Sequence, residues 1–146
     1  MTDDEILRRL KETCILLYST DGLPGTGYIV AHGFAATANH VVRSWTDDVW
    51  YPIVVGWPAL RSGIEAKVIR RNEPADVAVL ALKGCDGIRP IPVGDLPTAK
   101  TAWAAFGFPS AAAVDGIAVG LPMGGTVHDA NWVTPCQESH LVPSFQ

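Results

Sequence analysis

The sequence predicts a mainly β chain: a six-stranded antiparallel barrel, an incomplete second barrel after it, and a short helix at the N-terminus. Two observations carry that prediction. Hydrophobic residues make up 48% of the 146 and charged residues only 18%, alongside 14 glycines and 11 prolines. That mixture favours short strands joined by tight turns over long surface helices, and it is rich enough in apolar residues for a packed core. The second observation is a recurrence of short apolar runs, each bounded by Gly, Pro, Asn or Asp. About six fall before Gly84 and two or three after it, enough for one closed barrel and a fragment of another.

Each element has its own justification. Thr2 can cap a helix whose first turn holds Asp3, Asp4 and Glu5, acids favoured at the positive end of the helix dipole. Ile6, Leu7 and Leu10 recur at helical spacing, Asp4 can pair with Arg8 one turn on, and the helix should stop near Thr13. From Cys14 the texture changes to strand and turn. Strands are expected over 14–19, 26–30, 34–38, 50–55, 65–70 and 77–82, with turns at Asp21-Gly22-Leu23-Pro24-Gly25 and His32-Gly33. Residues 84–92 are rich in turn formers and look like a connector. Strands over 101–106 and 116–121 follow, with 125–127 as a candidate third. The expected division is a helix over 1–13, a first barrel over 14–92, and a linker with a partial second barrel over 93–146.

Composition narrows the function. The net charge is −4 and no Lys/Arg cluster forms a phosphate-binding stripe, so nucleic acid is not an expected partner. The chain opens on acids where a secretory signal needs a positive region, and no apolar run approaches the roughly 18 residues of a membrane span. Cys14, Cys85 and Cys136 are odd in number and widely spaced, neither a disulfide framework nor a CxxC knuckle. A reduced, cytoplasmic location fits, with no membrane association. No cofactor or metal is expected: His128, Cys136 and His140 lack a clear fourth ligand, and the ordinary solvated tail is the simpler reading. The five tryptophans are assigned to packing, and His32 to an exposed turn.

Four features then occur in a meaningful order. Gly25-Thr26-Gly27-Tyr28-Ile29-Val30 is a strand opened by two glycines. Ala36-Thr37-Ala38-Asn39-His40-Val41-Val42 delivers a histidine at a strand end. Ala75-Asp76-Val77-Ala78-Val79-Leu80 sets an aspartate ahead of an apolar strand, and Ala104-Ala105-Phe106-Gly107-Phe108-Pro109 ends in glycine and proline. Taken singly, His40 is an ordinary structural histidine and Asp76 a turn aspartate. The glycines read as turns that need positive φ.

In combination these motifs resemble the running pattern of trypsin-like serine peptidases, nearest to their HtrA-like branch, over residues 14–127. The resemblance implies a chymotrypsin-type fold of two antiparallel barrels with the active site between them. It makes His40 the general base and Asp76 the carboxylate that orients it. A serine hydroxyl is a poor nucleophile near neutral pH, so it needs a base of suitable pKa within hydrogen-bond reach. A buried carboxylate fixes the imidazole tautomer and stabilises the imidazolium. Secreted members carry cysteine after the histidine; here Val41 stands there, consistent with a reducing compartment.

The third member is missing. The family places its serine in Gly-x-Ser-Gly within the second barrel, and Ser110, Ser139 and Ser144 all lack the flanking glycines. Those glycines matter because backbone N–H groups around the nucleophile form the oxyanion hole. Cys136 lacks the same elbow and is a poor substitute. The expectation is therefore a serine endopeptidase domain that stops before its nucleophile and is inactive alone. It would act on a protein or peptide substrate once completed. The alternative is a non-catalytic peptidase-like module for protein interaction. Open strand edges in the partial barrel would favour self-association or a complementing segment.

Overall fold

The computed structural model describes residues 2–85, 87–94, 102–109 and 117–126. Helix α1 spans Asp3–Thr13. Strands β1 (Cys14–Tyr18), β2 (Pro24–Ala31) and β3 (Phe34–Ala38) lead into a single 3-10 turn, Asn39–Val41. After it come β4 (Tyr51–Val55), β5 (Arg61–Asn72), β6 (Val77–Lys83), β7 (Ala102–Gly107) and β8 (Leu121–Thr126).

α1 starts where the sequence places it. Thr2 Oγ1 accepts from the Glu5 N–H at 3.2 Å while Glu5 Oε2 accepts from the Thr2 N–H at 3.4 Å, a reciprocal capping box. Arg8 lies 3.9 Å from Glu12 rather than pairing back to Asp4, and both side chains are so exposed that the pair contributes little. What holds the helix is its apolar stripe: Leu10 is buried, and Ile6 and Leu7 pack beside it.

The first six strands close into a barrel in the order β1-β2-β3-β6-β5-β4, sealed by β1 against β4. Alternation along the strands sends Ile15, Leu17, Ile29, Val68 and Leu80 into the interior. Ala35, Ala66 and Ala78 fill the gaps between them. Each fully buried Ile or Leu contributes about 1.5–3 kcal/mol. β1 is buried on both faces. Ile15 and Leu17 face the barrel, while Cys14 and Leu16 join Leu10, Phe106, Phe108 and Ala118 in a second core. Trp45 sits in the barrel core and stacks on Tyr51, and Trp57 packs against Phe106 and Phe108, the roles assigned to tryptophan from sequence.

β7 and β8 form a separate two-stranded sheet held to the barrel by polar anchors on β2. The Tyr28 hydroxyl donates to the Phe106 carbonyl and accepts from the Phe106 N–H at 3.0 Å. Thr26 Oγ1 accepts from the Phe108 N–H at 2.7 Å. The connector also grips the barrel: the Ile91 N–H donates to the Ile29 carbonyl, and Arg9 donates to the Pro90 carbonyl, both at 2.9 Å.

The strand expected over 116–121 is not where sequence put it. Ile117 makes an isolated bridge, residues 118–120 are irregular, and the strand runs over Leu121–Thr126. Pro122 and two glycines disguise it. Pro122 pairs with Phe106, whose carbonyl accepts from the Tyr28 hydroxyl instead, so the missing proline donor costs no ladder bond. Trp103 lies across Gly125, where a Cβ would come within 2.8 Å of the indole nitrogen. Among the described residues no helix is long and apolar enough to cross a membrane.

Candidate active site

β3 and β6 are neighbours in the barrel although two strands separate them in sequence. Their register ends with Ala38 opposite Val77. The next rung therefore brings Asn39 to Asp76, and the Asn39 N–H donates to the Asp76 carbonyl at 3.1 Å. One residue further, His40 enters the 3-10 turn beside the aspartate.

Asp76 is positioned by a tight turn. Its N–H donates to the Glu73 carbonyl at 3.0 Å, and the Ala75 N–H donates to Asn72 Oδ1 at 3.1 Å. Its φ is +53°, a left-handed conformation that aspartate tolerates better than most residues. The carboxylate is buried and grips His40 twice. Oδ1 accepts from the His40 backbone N–H at 2.8 Å, and Oδ2 lies 2.6 Å from His40 Nδ1. An ionised carboxylate only accepts, so the proton of the neutral ring sits on Nδ1 and Nε2 becomes its basic nitrogen. The histidine side chain is 24% exposed against 5% for the aspartate, placing the ring at the rim with its carboxylate beneath. Hydrogen bonds to a charged partner contribute about 1.5–3 kcal/mol each, enough to hold one ring orientation.

The glycines of the motif work differently from the sequence expectation. Gly25, Gly27 and Gly107 do not have positive φ; the first two lie within β2 and the third ends β7. Their role is close approach. A Cβ on Gly25 would come within 2.2 Å of Val41 Cγ1, so this glycine lets the histidine-bearing turn seat against β2. A Cβ on Gly27 would meet the Ala36 carbonyl at 2.7 Å, and one on Gly107 would meet Thr26 Oγ1 at 2.8 Å.

Sequence reasoning missed Asn39 and Arg71. Asn39 is buried, and its Oδ1 accepts from Arg71 Nη1 at 2.9 Å. Asn39 fills the position before the histidine in its motif without a role of its own there, and Arg71-Asn72 reads as a solvated strand end. Among the described residues no three His, Cys, Asp or Glu side chains gather to hold a metal ion. His128, Cys136 and His140, the serines Ser110, Ser139 and Ser144, and Trp132 lie outside the described residues.

No protein-family model matches the chain, and no curated protein matches it. Solved structures do. The inactive form of the Rv3671c protease aligns with a TM-score of 0.54 at 17% identity, over 88% of this chain and 59% of that one. A serine-to-alanine mutant of Rv3671c from M. tuberculosis, also inactive, gives 0.57 at 18%, over 85% and 54%. The active form of the M. tuberculosis protease gives 0.51 at 16%, over 86% and 53%.

The chain has a trypsin-like protease fold.

It spans little more than half the length of the structures it matches. Within that fold the six-stranded barrel is closed, and β7 and β8 form the small second sheet. His40 and Asp76 stand together at the barrel end where β3 passes into the 3-10 turn and β6 begins.

Proposed function

We propose that this chain carries the general-base half of a serine endopeptidase, with the nucleophilic serine supplied from outside these 146 residues. The supporting observation is the two-point grip of Asp76 on His40, at 2.8 Å to the backbone and 2.6 Å to the ring. That grip puts the ring proton on Nδ1 and turns the basic nitrogen to the incoming hydroxyl. Nε2 accepts the serine proton as the hydroxyl oxygen attacks the scissile carbonyl. The resulting imidazolium, stabilised by Asp76, returns the proton to the leaving amine, and water then releases the acyl-enzyme by the same route.

Further features of the proposal follow the family resemblance. Val41 after the histidine, together with the free, buried Cys14, supports a branch that works in a reducing compartment, nearest to the HtrA-like peptidases. On this reading the chain divides into a helix over 1–13, a first barrel over 14–92, and a linker with a partial second barrel over 93–146. The substrate is a protein or peptide, and a complementing segment finishes the second barrel.

One observation favours a second reading, a non-catalytic interaction module: no Gly-x-Ser-Gly occurs anywhere in the 146 residues. A fluorophosphonate probe separates the two. It should leave these 146 residues unlabelled, label the chain extended by the coding sequence past Gln146, and lose that labelling in His40→Ala. Labelling of the 146 residues alone would contradict the external serine. A folded, unlabelled extension would favour the non-catalytic module.

A further inference from the structure

β5 carries an extra residue near its end. The β5–β6 register shifts between Val68 and Arg70, and the bulged Ile69 is exposed. Regular alternation after the buried Ile64, Ala66 and Val68 would send Arg70 inward and Arg71 outward. The bulge reverses this: Arg71 sits opposite Ala78, which is fully buried and itself opposite Thr37. Residues directly opposite in an antiparallel pair share a face. Arg71 is therefore turned to the inner face at the end of the barrel, only 18% exposed.

There its guanidinium meets four acceptors, all in the turn that carries His40 or the loop after it. Nη1 donates to Asn39 Oδ1 at 2.9 Å and to the Val42 carbonyl at 3.0 Å. Nη2 donates to the Trp45 carbonyl at 2.8 Å, and Nε to Asp47 Oδ1 at 2.9 Å. Asn39 and Val42 bracket His40. A 3-10 turn of three residues has poor internal geometry and leaves carbonyls unsatisfied, so it takes its shape from what it is tied to.

We propose that Arg71 is a positioning residue for His40: its guanidinium fork fixes the 3-10 turn and so keeps the imidazole seated on Asp76. This rests on His40 acting as a base through Asp76. Lysine cannot replace it, because a single ammonium lacks the planar fork that spans four acceptors.

The test is solvent exchange of the His40 Nδ1 proton, followed by NMR in the histidine-labelled chain. The wild-type proton should be protected. Arg71→Lys and Arg71→Ala should each speed exchange about tenfold or more, the factor matching the loss of one net hydrogen bond to a charged group. Added guanidinium ion should slow it again in Arg71→Ala. Val55→Ala, a core truncation away from the loop, compared at equal distance from its urea midpoint, should leave exchange unchanged. Wild-type exchange in both Arg71 variants, or equal acceleration in Val55→Ala, overturns the proposal. Should neither Arg71 variant fold, Asp47→Asn, which weakens one exposed acceptor, should speed exchange a few-fold, and no change there overturns it. A wild-type proton exchanging as fast as that of a free imidazole would instead remove the His40–Asp76 premise, and the proposal with it.

Discussion

Tyr28→Phe removes one oxygen atom and should loosen the second sheet from the barrel. The Tyr28 hydroxyl serves both backbone groups of Phe106, a residue 1% exposed. Phenylalanine keeps the ring and its packing but leaves a buried N–H and a buried carbonyl without that partner. Each lost hydrogen bond is worth about 0.5–1.5 kcal/mol net, and a buried group left unsatisfied costs about 1–3 kcal/mol. Partial relaxation of β7 brings the expected total to about 2–4 kcal/mol. Amide hydrogen exchange reports where the loss falls. Protection at Phe106 and Phe108 should drop about 30-fold or more, since 2 kcal/mol corresponds to roughly that factor. If β7 opens as a local unit, the amides of Val68 and Leu80 in the barrel should keep their wild-type protection. A change below about 0.5 kcal/mol at Phe106 would refute the hydroxyl as the latch between sheet and barrel.

Other perturbations test the packing and the ionisable groups. Gly27→Ala should destabilise the chain by about 1–3 kcal/mol in urea titrations, because its Cβ would meet the Ala36 carbonyl at 2.7 Å. Gly22→Ala, with φ +81° but nothing within 4 Å, should cost only the backbone strain of about 1 kcal/mol. Burial pushes the Cys14 thiol from 9.0 up to about 11. The unfolded chain loses that proton first, so the stability linked to it is fully present below pH 9 and fades as pH rises toward about 11, a loss of about 2–3 kcal/mol. Burial also raises Tyr28, which adds alkaline sensitivity of the same sign. Urea midpoints across that range should fall less steeply in Cys14→Ala than in wild type. In the folded chain, Cys14 should resist alkylation at pH 8, as read by mass spectrometry.

The barrel strands were legible in sequence because apolar runs and turn residues alternate so regularly there. β3 begins and ends where expected, and β1, β4 and β6 each differ by a residue at one end. β5 runs past its expected C-terminal end because Arg71 and Asn72 look like solvent-facing polar residues, and the bulge at Ile69 breaks the alternation that would have flagged them. β8 was misplaced because proline and glycine argue against a strand. The reasons they are tolerated, Tyr28 on Phe106 and Trp103 over Gly125, lie in other elements.

The pair His40 and Asp76 was readable from motif order, but the reason they meet was not. Their approach depends on β3 lying beside β6, a pairing no local pattern encodes. The turn that aims the carboxylate requires Asp76 at φ +53°, which the sequence around Asn72 and Pro74 does not announce. The glycines carried the right positions for a different cause, since what they permit is contact with Val41, Ala36 and Thr26. Arg71 had no signal at all, because its four partners, two backbone carbonyls and the side chains of Asn39 and Asp47, are spread over a turn and loop far from it in sequence.

The tautomer of His40 is the sharpest single test. Long-range proton–nitrogen NMR of the histidine-labelled chain at neutral pH should find the His40 proton on Nδ1, and should find that preference lost in Asp76→Asn. A wild-type ring protonated on Nε2 would mean that the carboxylate does not orient a base here, and the peptidase assignment would fail with it.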